Sequence, residues 1–160
     1  MLLKMKSEGQ KFMDQIDQDV LERQIFIAAT PETVFSFFVD PTKMVRWKGI
    51  RAELDPRPGG IYRVDINGHD IARGEYVEIL PYSRIVFTWG WEGENSPLPP
   101  GSSTVEINLT REGEGTRVLL RHLGLPAALK EVHAEGWDNY LPRLSQAAEG
   151  RESDQKAWSM

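Results

Sequence analysis

The sequence predicts an α+β domain in which a curved antiparallel β-sheet wraps around one long C-terminal helix, with two short helices after the first strand. Two observations lead to this fold class. Short segments of alternating apolar and polar residues are separated by Gly, Pro, Asn and Asp, and strands without helices between them pair as antiparallel hairpins. The last third of the chain instead carries apolar residues three and four positions apart, which is typical of an amphipathic helix.

The first strand is predicted at residues 20–28, and it ends at Thr30-Pro31. Thr30 suits the N-cap of a helix, where its hydroxyl accepts a backbone hydrogen bond, and Pro31 suits the first helical position, where no amide hydrogen is needed. A short helix with the sequence PETVFSFFV is therefore expected. Asp40-Pro41 repeats this signal before TKMVRWKG, and so predicts a second short helix.

Six further strands are predicted before the long helix, at residues 51–54, 61–66, 69–80, 84–91, 104–110 and 116–123. Asn67-Gly68 is a strong hairpin signal between two of them. The loop 92–102 holds three prolines and two glycines, and is expected to be irregular. Period-two alternation gives the sheet one inner face. The residues predicted on this face are Tyr62, Val64, Ile66, Ile85, Phe87, Trp89, Trp91, Val105, Ile107, Leu109, Val118, Leu120 and His122.

The long helix is predicted from the segment AALKEVHAEGWDNYLPRL. Gly136 lies inside its apolar stripe and costs about 1 kcal/mol relative to Ala. Either the helix backbone approaches the sheet closely at Gly136 or a ligand needs the space, and we expect close packing. Pro142 removes a helical hydrogen bond, so a kink or local break is expected just before it. The stripe comprises Leu129, Val132, His133, Gly136, Trp137, Tyr140, Leu141 and Leu144.

The composition is that of one globular domain. With 160 residues, 40% of them hydrophobic and 27% charged, the chain can bury a core without covalent staples. The domain is predicted at residues 20–149. A poorly ordered N-terminal extension, 1–19, is expected before it, and a flexible C-terminal tail, 150–160, after it.

Charge and residue usage exclude several classes of partner and site. A net charge of −5 argues against nucleic acid and anionic membranes as partners, and no apolar run approaches the roughly 20 residues of a membrane-spanning helix. The absence of Cys excludes disulfides, thiolate metal sites and cysteine nucleophiles. The first residues lack the apolar stretch of a secretory signal, so a cytoplasmic protein is expected.

An ordered set of motifs resembles a known superfamily. The segments ATPETVFSFF, DPRPGGIYRV, RGEYVEILPYSRIVFTW, GTRVLLRHLGL and HAEGW, with Trp47, resemble the START-like, or SRPBCC, superfamily over residues 21–148. More narrowly, they resemble the branch related to the C-terminal domain of the activator of heat-shock protein 90 ATPase. The resemblance implies the helix-grip (START-like, Bet v 1-like) fold and a deep cavity between sheet and helix, used by members for lipids, polyketides, sterols or plant hormones. The true activator also has an N-terminal domain for which this chain has no room, so a chaperone partner is not expected.

Few residues in the sequence suggest chemistry. His69, His122 and His133 lack the spacing of metal ligands, and no serine motif indicates a nucleophile. No catalytic residue, metal or cofactor is therefore predicted. His122 and His133 could approach each other at one mouth of the cavity, either to act on a ligand or to hydrogen-bond backbone groups, and we expect the second. Glu78 would be a candidate base if it pointed inward, but a rim position is expected, as is a surface ion pair for Arg73.

Aromatic residues outnumber what a packed core of this size needs, and aromatic walls are common in small-molecule pockets. We expect non-catalytic binding of a small, largely hydrophobic molecule, gated by the short helices and the loop 92–102, with His122 as the main polar anchor. The residues expected to line the cavity are Trp47, Tyr62, Tyr76, Phe87, Trp89, Trp91, His122, His133, Trp137 and Tyr140. The alternatives are a polyketide cyclase or aromatase that uses the same cavity, and a chaperone-related or other protein-interaction module with a filled interior. The sequence leaves homodimerisation open.

Overall fold

The computed structural model of the protein describes residues 20–151. The predicted N-terminal extension, 1–19, and all but the first two residues of the predicted tail lie outside the described residues. The described part of the chain contains seven strands and three helices. In chain order these are β1 (Leu21–Ile27), α1 (Pro31–Val39), α2 (Pro41–Met44), β2 (Arg51–Leu54), β3 (Ile61–Asp65), β4 (Ile71–Leu80), β5 (Arg84–Trp89), β6 (Ser103–Glu112), β7 (Gly115–Leu123) and α3 (Ala127–Ala148).

The strands form one antiparallel sheet in the order β1-β7-β6-β5-β4-β3-β2. Only β1 pairs out of sequence, since it lies beside β7, while every other neighbouring pair is consecutive in the chain. A bulge between Tyr76 and Glu78 interrupts the pairing of β4 with β5, and bulges bend the strand that carries them. The predicted α+β fold, a curved antiparallel sheet against a C-terminal helix, is confirmed.

The two short helices begin where the sequence predicts. The hydroxyl of Thr30 accepts a hydrogen bond from the backbone N–H of Thr33 at 3.2 Å, and Asp40 Oδ1 accepts one from the N–H of Thr42 at 2.8 Å. A proline follows each capping residue, so both N-cap predictions are confirmed. Helix α2 begins two residues after α1 ends, and six residues separate the end of α2 from the start of β2.

The predicted inner face of the sheet forms the core. All of its side chains are buried except those of Ile66 and Trp91, which are partly buried. Trp91 differs because β5 ends at Trp89 and only one bridge, to Ala72, holds Trp91 to the sheet. It lies in the first part of the loop between β5 and β6, beside the cavity described below.

Helix α3 runs without interruption through Pro142, so of the expected kink or local break, the break is wrong and the kink stays a prediction. Pro142 is exposed, and the backbone carbonyl that loses its hydrogen bond can be solvated there. Leu141 and Leu144 on the opposite face are buried against the sheet. Arg23 of β1 and Asp138 pair at 2.6 Å, which joins the middle of α3 to the edge of the sheet.

Candidate ligand-binding cavity

A cavity of about 550 Å³ lies between the first half of α3, the end of β5 and the loop that follows β5. Its volume is within the range of about 300–1,000 Å³ that is usual for small-molecule sites. The residues that line it are Lys48, Asp70, Trp89, Trp91, Glu92, Gly93, Glu94, Asn95, Ser96, Pro97, Leu129, Val132, His133, Gly136, Trp137 and Tyr140. We refer to this space as the cavity.

Aromatic rings form much of its wall. The ring centroid of Trp89 is 5.3 Å from that of Trp91 and 5.8 Å from that of Trp137. Trp89 and Trp137 are almost fully buried, whereas Trp91 and Tyr140 are partly exposed toward the opening. Such a wall offers large contact areas to a flat apolar molecule.

Gly136 widens the cavity on the helix side. A Cβ atom placed on Gly136 would meet no atom within 4 Å outside its own helix, so the expected close approach of α3 to the sheet at this position is wrong. The space beside Gly136 belongs to the cavity instead. Gly in a helix costs about 1 kcal/mol relative to Ala, so α3 is less stable than it would be with Ala at this position. The missing side chain leaves the cavity larger than it would be with any other residue.

The inner end of the cavity holds Lys48, a residue that the sequence does not single out. Lys48 is only 2% exposed, and its Nζ lies 3.9 Å from the ring centroid of Trp89 and 4.2 Å from that of Trp137. Within residues 20–151, the side chain of Lys48 makes no hydrogen bond and no ion pair. Burial holds the pKa of this amine well below its ordinary value of 10.5.

Local backbone structure directs Lys48 inward. The N–H groups of Trp47 and Lys48 both donate to the carbonyl of Met44, and the indole of Trp47 donates to the carbonyl of Phe37 at 3.0 Å. Gly49 follows with a φ of 84°, and a Cβ there would lie 2.7 Å from the carbonyl oxygen of Asp65. Only glycine suits this conformation and contact. The chain can therefore turn into β2 immediately after Lys48.

His122 is fully buried behind the cavity wall and is not among the lining residues. Its Nδ1 accepts a hydrogen bond from the indole of Trp137 at 3.1 Å. Its Nε2 lies 2.9 Å from the hydroxyl oxygen of Ser103, and that hydroxyl donates to the carbonyl of Trp89. His122 Nε2 must therefore carry the proton. Burial, followed by the nearby His133 and Lys48, lowers the pKa of His122 to about 3.

His133 lines the cavity, and its ring lies 5.6 Å from that of His122 between centroids. Its Nε2 accepts from the indole of Trp91 at 3.0 Å, so Nδ1 donates to the carbonyl of Leu129 at 2.8 Å. Burial lowers the pKa of His133 despite this backbone hydrogen bond. Both histidines are thus neutral and have partners at both ring nitrogens.

The structure divides the ten residues predicted to line the cavity into two groups of five. One group lies in the core and does not line the cavity. In this group the hydroxyl of Tyr76 donates to the carbonyl of Phe38 at 2.9 Å, and the rings of Tyr62 and Phe87 stack with their centroids 4.1 Å apart. The residues outside the lining are Trp47, Tyr62, Tyr76, Phe87 and His122. The residues in the lining are Trp89, Trp91, His133, Trp137 and Tyr140.

Acidic residues lie at the rim of the cavity. Glu92 pairs with Arg63 at 2.8 Å and with Arg73 at 3.4 Å, and these partners lower the pKa of Glu92. The expected ion pair of Arg73 is therefore present. Glu78 pairs with Arg84 at 3.4 Å, away from the cavity lining. Among the described residues, no group of three or more His, Asp and Glu side chains is placed to hold a metal ion.

A family model described as activator of Hsp90 ATPase homolog 1-like protein, AHSA1, matches residues 28–149. The chain belongs to this family. The AHSA1-like protein RHE_CH02687 of Rhizobium etli is 45% identical, with a TM-score of 0.66 over 82% of each chain. These findings confirm the resemblance to the heat-shock protein 90 activator branch of the START-like superfamily. No curated protein matches the chain.

Two more distant structures share the AHSA1-type fold. DynU16, a protein of the dynemicin biosynthetic locus, is 23% identical with a TM-score of 0.71, over 82% of this chain and 47% of DynU16. The Aha1 dimer of Colwellia psychrerythraea is 17% identical with a TM-score of 0.71, over 84% of this chain and 98% of that one. At these identities the likeness concerns the fold alone. No helix within residues 20–151 is long and apolar enough to cross a membrane.

Proposed function

We propose that this AHSA1-family protein binds a small, largely apolar molecule in the cavity, without catalysing a reaction. The observation that carries the proposal is the cavity of about 550 Å³ between α3 and the sheet, walled by tryptophans. A volume of this size holds a compound of several fused or linked rings. Hydrogen bonds fix the side chains of Trp91, His133 and Trp137 in this wall, so binding a ligand would require little ordering of these three rings.

The room beside Gly136 supports the same proposal. A larger side chain at this position would meet no neighbouring atom and would raise helix propensity. Packing and local stability therefore give no reason for glycine here. A bound molecule that occupies the space gives one.

The test uses native mass spectrometry of the protein purified from its own host, followed by denaturation and identification of any molecule released. Gly136→Leu, which should fill the cavity from the helix side, is compared with Gly136→Ala, which adds only a methyl group. We expect a stoichiometric adduct in the wild-type protein and in Gly136→Ala, and its loss in Gly136→Leu. An adduct that persists in a folded Gly136→Leu protein would place the bound molecule elsewhere.

An enzyme of the polyketide cyclase or aromatase type is the second candidate, since DynU16, which shares the fold, is encoded in the dynemicin biosynthetic locus. Catalysis there would depend on positioning a flexible chain in the cavity. His122 and His133 are poor candidates for acid and base, because every ring nitrogen already has a partner. Lys48 would be the group to test as an acid or base. Turnover that survives in Lys48→Met but is lost in Gly136→Leu would mean that the enzyme acts by positioning its substrate and not by proton transfer through Lys48.

Homodimerisation is a further proposal, favoured by the fold likeness to the Colwellia psychrerythraea Aha1 dimer. The sheet has two edges, β1 and β2, which offer unpaired backbone groups to a second copy. Light scattering during size-exclusion chromatography measures the mass directly. A mass of one chain at micromolar concentration would refute the dimer and leave the cavity proposal intact.

A further inference from the structure

Two hydrogen-bond donors in the cavity wall have no acceptor within residues 20–151. One is the Nζ amine of Lys48. The other is Nε1 of Trp89, which is buried and without a partner. The remaining two indoles of the wall differ, since Trp91 donates to His133 at 3.0 Å and Trp137 donates to His122 at 3.1 Å. Trp89 Nε1 is a buried atom, and buried donors in proteins are nearly always paired. An acceptor supplied by a bound molecule would pair both donors.

The two unpaired donors belong to the same end of the cavity. Lys48 Nζ lies 3.9 Å from the ring centroid of Trp89, and both residues line the cavity. Trp47, which precedes Lys48 in the chain, is different because its indole already donates to the backbone at 3.0 Å. One small acceptor group at the inner end of the cavity would therefore lie close to both residues.

The carboxylates that line the cavity do not serve as this acceptor. Glu92 is engaged by Arg63 and Arg73, Asp70 accepts a hydrogen bond from the amide of Asn67 at 2.9 Å, and Glu94 is exposed at the rim. The inner end thus contains an amine without a counter-charge from residues 20–151. A cationic ligand is disfavoured there because Lys48 already occupies the faces of the two tryptophans.

We propose that the bound molecule has an apolar body and one anionic oxygen group, a carboxylate or an ionised enol, and that Lys48 and the indole N–H of Trp89 bind this group. The inference rests on the proposed function and specifies the class of ligand. A hydrogen bond between charged groups is stronger in a buried site than in water. Such a bond contributes about 1.5–3 kcal/mol, which corresponds to about tenfold to a hundredfold in affinity.

The test compares three naphthalene probes by isothermal titration calorimetry at pH 7. 2-Naphthoate carries a carboxylate, 2-acetylnaphthalene a neutral acceptor, and 2-methylnaphthalene no acceptor. We expect 2-naphthoate to bind at least about tenfold more tightly than the other two. Lys48→Met should abolish this preference, whereas Lys43→Met should retain it, because Lys43 donates to Ser36 and does not line the cavity.

Proton uptake provides a readout that needs no variant. An anion bound to Lys48 favours the ammonium form, so the wild-type protein should take up as much as one proton with 2-naphthoate at pH 8, and none with 2-acetylnaphthalene. Titrations in two buffers of different ionisation enthalpy measure the uptake. His133 and Tyr140 also line the cavity, so Lys48→Met identifies the group that takes up the proton.

The outcomes separate this inference from the proposed function. Equal binding of the three probes, or tighter binding of the neutral ketone, would overturn the inference while the cavity proposal stands. If no probe binds and native mass spectrometry finds no adduct, the proposed function fails. A preference for 2-naphthoate that survives in Lys48→Met would assign the anion to another residue and would also overturn the inference.

Discussion

Replacing Lys48 with Met should raise the free energy of unfolding of the protein measured without added ligand. Lys48 is 2% exposed, and within the described residues its amine has no acceptor. A buried donor without a partner costs about 1–3 kcal/mol. Met is unbranched and close to Lys in size, so it should fill the space of the lysine side chain beside the rings of Trp89 and Trp137.

The ring contacts of the amine oppose this gain. An ammonium group on the face of a tryptophan contributes about 2 kcal/mol in a desolvated site, but only when it is protonated. Burial lowers the pKa of Lys48, so the folded protein disfavours the charged form that would gain from the rings. We therefore expect a net gain of about 1–3 kcal/mol for Lys48→Met at pH 7.

The pH dependence of this gain gives a second test. The pKa of Lys48 is lowered in the folded protein, so below the ordinary pKa of 10.5 the unfolded chain binds more protons and the wild-type protein loses stability as pH falls. The advantage of Lys48→Met should consequently be smaller at pH 10 than at pH 7.

Urea unfolding followed by tryptophan fluorescence measures both effects, with Lys43→Met as the control. Lys43 donates to Ser36 at 2.9 Å, so its replacement should not stabilise the protein. A loss of more than about 1 kcal/mol in Lys48→Met, with an unchanged m-value, would mean that the amine has a strong partner. That result would refute the reasoning from burial.

Three other changes should also be measurable by urea unfolding. The pKa of His122 in the folded protein is about 3, so below pH 6.5 the unfolded chain binds one proton more than the folded protein. Acidification from pH 7 to pH 5 should therefore lower the free energy of unfolding by about 2 kcal/mol. If His122→Gln lost as much stability over the same pH range, this reasoning would be contradicted. Trp137→Ala should cost about 3–5 kcal/mol, and a loss below about 1 kcal/mol would show that the ring is not part of the core. Gly136→Ala should gain about 1 kcal/mol, and any loss would show a close contact at that position.

Alternation predicts the faces of strands well, because side-chain direction follows from local backbone geometry. Phe87 and Trp89 are both assigned correctly to the inner face in this way. Alternation does not indicate where along a strand the helix lies. Phe87 stacks on Tyr62 in the core, while Trp89, two residues further, lines the cavity. The predicted lining therefore includes core residues, such as Tyr62 and Phe87, that do not line the cavity.

Lys48 could not be identified from the sequence because lysine next to a loop is usually solvated. Its burial follows from three local features: the hydrogen bonds to Met44, the buried indole of Trp47 and the left-handed conformation of Gly49. Each is visible only once the backbone is known. Gly136 differs from Lys48 because the sequence does single it out. A glycine inside the apolar stripe indicates that space is needed, but the sequence does not show whether protein or ligand fills that space.

Gly136, Lys48 and Trp89 each depart from what stability alone would favour. Gly136 lowers helix propensity, and Lys48 and Trp89 bury donors without acceptors. These features lie on different parts of the fold, in α3, in the segment after α2 and at the end of β5, but all three line the same cavity. Unfavourable residues are retained most readily where function requires them. Because one apolar molecule with an anionic oxygen group would fill the space at Gly136 and satisfy both donors, a single ligand accounts for all three residues.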